Sequence, residues 1–122
     1  PELVAACRTM GLGDPRAFFD AIVTAGFPMR AGEPGTLGEL SPKPHPWLYA
    51  EVCRIGLGIP VEDRHHVVGI EDSGAGVCAV RLAGFAAIGM AGGNISDSGT
   101  RALCQHYCGS FDEVLTVIRG GD

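Results

Sequence analysis

Two adjacent carboxylates, Glu71 and Asp72, follow the apolar run His66-Val67-Val68-Gly69-Ile70 and precede Ser73-Gly74-Ala75-Gly76. Such a pair offers hard oxygen ligands that suit Mg2+, an ion that takes one or two protein carboxylates and keeps room for water and phosphate oxygens. The same residues have a simpler use, with one acid favouring a helix start and the other solvated. A second candidate is Lys43, the only lysine among nine basic residues, which lies in Ser41-Pro42-Lys43-Pro44-His45-Pro46. An ammonium held by a proline-restricted backbone can neutralise a phosphoryl group and the carboxylate attacking it. Taken alone, a loop lysine is more often simply exposed.

The elements that place these residues are read from apolar spacing. Leu3, Val4, Cys7 and Met10 follow one helical face, ended by Gly11 and Gly13. Residues 18–24 form a short run of strand formers closed by Ala25-Gly26, which predicts a buried strand and a turn. Residues 27–46, rich in proline and glycine, predict a long loop, and structureless loops of about 20 residues are usually functional where they occur. A helix is predicted over 46–55, opened by Pro46 and punctuated by Gly56 and Gly58. Residues 66–70 predict a second buried strand that ends at the acidic pair. Ser73 is placed to cap a helix in which Val77, Cys78, Val80 and Leu82 are apolar, before Gly84 stops it. A strand over 85–90, a helix over 97–104 and a last helix over 111–119, with Asp112 and Glu113 near its positive end, complete the pattern. Strands alternate with helices, so the expected class is α/β with a mainly parallel sheet. Ligands of such sheets sit beyond the C-terminal strand ends, where Glu71 and Asp72 fall.

Composition narrows the functions. The 122 residues, 46% hydrophobic and 19% charged, suit one globular domain. A net charge of −5 provides no basic field to gather a nucleic-acid backbone or an anionic lipid surface, so neither is expected as a partner. The longest apolar stretch, residues 85–92, falls far short of the about 20 residues a membrane span needs. Five cysteines, an odd number, argue against a disulfide framework and for a reducing, cytoplasmic setting. Cys104-x-His106-x-Cys108 could offer soft zinc ligands, but no second C-x-x-C pair occurs and half-buried thiols are expected. His65 and His66 read as surface groups, and Trp47 and Tyr49 as core packing beside Val52 and Cys53.

Taken together, Ser41-Pro42-Lys43-Pro44-His45-Pro46-Trp47-Leu48-Tyr49 and the segment Val67-Val68-Gly69-Ile70-Glu71-Asp72-Ser73-Gly74-Ala75-Gly76, continuing to Gly84, resemble motifs III and IV of the haloacid dehalogenase-like (HAD-like) hydrolase superfamily. The likeness is to its branch of sugar-phosphate phosphatases and β-phosphoglucomutases and runs over residues 18–119. It implies a Rossmann-like parallel sheet flanked by helices and Mg2+-dependent phosphoryl transfer through an aspartyl-phosphate. The substrate class it implies is a small phosphorylated metabolite, a sugar or polyol phosphate. Lys43 would contact the phosphoryl group and the nucleophile, and Asp72 would bind Mg2+. Glu71 would share the metal site, directly or through water. Ser73 would cap the helix, Gly76 would permit close packing, and His45, in the lysine's loop, is a weaker substrate contact.

The chain departs from the family in two places. Motif I, D-x-D-G-T, which supplies the nucleophile, does not occur, so no nucleophile is assigned here. Thr24 resembles a motif II residue, but its strand matches the one after motif II, and a structural role is expected. Residues 1–122 thus read as the C-terminal portion of one HAD-like core, without a cap domain and without the motif I and motif II strands. Such a chain is expected to expose strand edges and apolar faces, to fold poorly and to lack turnover by itself. A mutase-like phosphotransferase and a non-catalytic, degenerate HAD-like protein remain alternatives. Gly74-x-Gly76-x-x-Ala79 also matches a loose dinucleotide fingerprint, but Glu71 and Asp72 would set negative charge against a pyrophosphate.

Overall fold

The structure, a computed structural model, describes residues 2–22 and 43–120. Their order is helix α1 (Glu2–Thr9), short helix α2 (Pro15–Phe18), helix α3 (Trp47–Glu51), strand β1 (Val68–Glu71), helix α4 (Gly74–Leu82), strand β2 (Ala86–Met90), strand β3 (His106–Cys108) and helix α5 (Phe111–Ile118). A π-helical turn, Val52–Gly56, extends α3, and 3-10 turns occupy Val61–His66 and Arg101–Leu103. The three strands form one parallel sheet in the order β1-β2-β3. The class is α/β, as the alternation of strands and helices implies. None of the described helices is long and apolar enough to cross a membrane.

Residue alternation along the strands divides the core between the two sheet faces. Val77, Val80 and Ala83 of the α4 segment pack with Phe85, Ala87, Ile95 and Cys53 in one cluster. On the other face, Ile88 and Met90 meet Cys108 of β3 and Val114 of α5. At Gly69 a Cβ would press on the Val80 side chain, so glycine lets α4 lie close on β1. Val68 and Ile70 point the opposite way and remain about 40% exposed. Among the described residues β1 pairs only with β2.

Four expectations need correction. Within the strand predicted over 18–24, Phe18 ends α2 and residues 19–22 form no strand; residues 23 and 24 lie outside the described set, as do Thr24 and most of the loop predicted over 27–46. The reason is local capping. Asp14 accepts the Arg16 amide at 2.9 Å, Pro15 occupies the first helical position, and the Phe19 amide closes the turn on Pro15. The helix predicted over 97–104 is instead a run of turns with one 3-10 turn, because Gly99 adopts φ 76° and the Ser98 and Thr100 hydroxyls bond to the Ile95 carbonyl. The predicted helix over 46–55 is α-helical only to Glu51 and then widens, with the Leu57 amide reaching back to Val52. Within α4, Leu82 is exposed rather than part of the apolar face.

Candidate functional site

Glu71 closes β1, and its side chain is folded inward on the α4 side of the sheet. Space for it exists because position 76 is glycine: a Cβ there would run into all three atoms of the Glu71 carboxylate. Ser73 caps α4, its hydroxyl accepting the Gly76 amide at 3.0 Å. Both structural roles expected for these two residues are therefore seen.

The carboxylate has two claimants on one oxygen. Glu71 Oε1 accepts from Lys43 Nζ and from the Tyr49 hydroxyl. Oε2 accepts the Asp72 amide at 3.3 Å, and the Ser73 hydroxyl lies 3.5 Å away. Lys43 also stands over the Tyr49 ring, 5.5 Å from its centre. The pair joins residues 28 apart in sequence, a buried acid and a lysine whose side chain is 36% exposed. An ammonium carries three donors, so pairing with Glu71 leaves hydrogens for a ligand on the open side.

Burial works against the Glu71 charge, but the hydrogen bonds from Lys43 and Tyr49 outweigh it and hold the carboxyl below its usual range. Burial, then the bond to Glu71, pushes the Tyr49 hydroxyl far above the usual tyrosine value, so it stays a donor at ordinary pH. Because the folded-state pKa of Glu71 is depressed, its contribution to stability is complete above the unfolded glutamate value of about 4.3. It is lost as pH falls from there through the folded value. Urea titrations from pH 7 to pH 3 should show this acid-side loss in the wild type and a flatter profile in Glu71→Gln; superimposable profiles would contradict the ion pair.

Asp72 is exposed at the strand end, with Gly93 packed on its backbone, where a Cβ would meet the Asp72 carbonyl. Among the described residues no group of three or more His, Cys, Asp or Glu side chains could hold a metal. Mg2+ needs no such cage. One exposed carboxylate, with a second sharing through water, is a donor set that fits an ion retaining water and phosphate oxygens. Both Glu71 oxygens accept protein donors, so of the two acids Asp72 would be the one to bind such an ion directly.

The structure thus brings Lys43, Glu71 and Asp72 together and leaves His45 apart. His45 is exposed, and its Nδ1 accepts the Trp47 amide at 3.1 Å, which helps start α3. His65 and His66 are exposed and stacked on each other. Trp47 is buried as expected. Tyr49, read from sequence as core packing, does pack against the core but also donates to Glu71. A signal was present: a half-buried tyrosine has a hydroxyl that needs a partner. All five cysteines are free, and no zinc-type cluster forms around Cys104 and Cys108 among the described residues. No family model matches the chain, and comparison with curated proteins and with solved structures finds no match either.

Proposed function

We propose that the chain carries the phosphate-contacting and metal-binding half of a HAD-like phosphohydrolase centre acting on a small phosphomonoester, a sugar or polyol phosphate. The observation that carries this reading is the pairing of partly exposed Lys43 with buried Glu71 beside exposed Asp72, at the C-terminal end of a parallel strand and ahead of a capped helix. This end of a parallel sheet is where ligands of α/β proteins gather. Glu71 and Tyr49 fix the lysine, so its remaining hydrogens meet phosphoryl oxygens without first reorganising. Asp72 would hold Mg2+, which when bound supplies neutralisation of charge on the phosphate. Glu71 holds Lys43 in place. The five free thiols suit a reducing, cytoplasmic setting.

An assay of the full-length protein against a panel of phosphomonoesters with Mg2+ should release inorganic phosphate, and chelation should stop it. Transfer of the phosphoryl group to a second sugar phosphate instead of water would mark the mutase-like variant. The lack of a D-x-D-G-T sequence favours a second reading, a protein that binds phosphorylated metabolites without turning them over. Saturable binding without phosphate release would support that reading. Neither binding nor release across the panel would remove both.

A further inference from the structure

The turn that carries Asp72 is held by more than its own strand and helix. The segment after β2, residues 91–100, lies against it at three points. The Asn94 side-chain oxygen accepts the Gly74 amide at 2.8 Å. A Cβ at Gly93 would collide with the Asp72 carbonyl, and one at Gly74 would collide with the Ser98 hydroxyl. The segment is itself anchored. Ile95 is completely buried in the α4-side core, the Ser98 hydroxyl bonds to the Ile95 carbonyl at 2.9 Å, and the Ser98 amide bonds to the Asn94 carbonyl at 2.9 Å.

A helix begins with amides that have no partner inside it. In α4, Ser73 takes the Gly76 amide locally, while the Gly74 amide is taken by Asn94 from 20 residues away. Local capping alone would leave the Asp72–Ser73–Gly74 backbone tied on the helix side only. Asn94 ties it to the turns that follow β2, and the close approach of Gly93 crowds the Asp72 carbonyl. The rotamers open to an aspartate side chain depend on its backbone dihedrals, so this clamp limits where the carboxylate can point.

We infer that Asn94 is a positioning residue that aims the Asp72 carboxylate at its Mg2+, an inference resting on the reading of Asp72 as the metal ligand. Residues that orient a metal ligand from outside the coordination sphere are worth about tenfold or more in metal affinity. Calorimetric titration of Mg2+ into the full-length protein should therefore show a dissociation constant raised about tenfold or more in Asn94→Ala, and binding lost in Asp72→Asn. Thermal midpoints of the same samples separate aim from folding. If Asn94→Ala melts lower but binds Mg2+ as the wild type does, while Asp72→Asn does not bind, Asn94 is only a structural cap and the inference fails. If wild type and Asp72→Asn bind Mg2+ equally, or neither binds, the metal reading itself fails and takes the inference with it. Should Asn94→Ala not fold, Asn94→Ser serves in its place. Its neutral but shorter hydroxyl reaches the amide less well, and it should give a smaller rise in the same constant; no rise in a folded Asn94→Ser protein counts against the inference.

Discussion

Lys43→Ala in the full-length protein should slow phosphate release by about 10²- to 10³-fold, the usual effect of removing one preorganised donor from a developing charge. Three features make the lysine more than a surface charge. Its ammonium is fixed by Glu71, the same ammonium lies over the Tyr49 ring, and it adjoins the strand end where Asp72 stands. A fixed cation acts on the transition state without the reorganisation that water would need. Lys43→Arg should not restore the rate, because a planar guanidinium cannot replace a compact ammonium shared between Glu71 and a phosphoryl oxygen. Lys43→Ala also leaves Glu71 without its cation. That stability cost should be about 1 kcal/mol, at the low end because Lys43 is 36% exposed. The double variant Lys43→Met with Glu71→Gln removes both charges, so it should regain stability while remaining slow. Wild-type turnover in folded Lys43→Ala would sink the assigned role.

Gly76→Ala should destabilise the protein by about 1–3 kcal/mol, although alanine in an ordinary helix interior is favoured over glycine by about 1 kcal/mol. The reversal comes from one contact. The added methyl would occupy the place of the Glu71 carboxylate, which cannot retreat while Lys43 and Tyr49 hold it. The carboxylate must either leave those donors or push α4 off β1, and each route disturbs a buried part of the structure. Urea denaturation of wild type, Gly76→Ala and the double variant Gly76→Ala with Glu71→Ala measures this. The double variant removes the obstacle and should recover part of the loss specific to the clash. A Gly76→Ala protein as stable as the wild type would show that the carboxylate is not seated there.

Much of this architecture was legible in local patterns. The strand ending at Glu71, the Ser73 cap, the helix closed by Gly84, the strand over Ala86–Met90 and the last helix each have their own sequence signal. The errors fall where two local signals compete. The aromatic run around Phe18 and Phe19 has strand character, yet Asp14 and Pro15 begin a helical turn just ahead of it. Around Gly99 a helix is expected, but hydroxyl bonds to the Ile95 carbonyl turn the chain instead. Strand β3 went unforeseen because three residues carry too little pattern, and its pairing with β2 is a non-local event.

For the site, the phosphate and Mg2+ roles rest on the family resemblance, while residue types and spacing marked Lys43, Glu71 and Asp72 only as candidates. They could not say how the acids divide their work, since adjacent carboxylates look equivalent in one dimension. Packing makes the distinction. Strand alternation turns Glu71 inward over Gly76, where a buried charge must find donors and takes Lys43 and Tyr49. Asp72, one residue beyond the strand, faces outward and keeps an exposed carboxylate. The link between Asn94 and the Gly74 amide likewise exists only once β1 and β2 lie side by side, because that pairing brings their two following turns within hydrogen-bond reach.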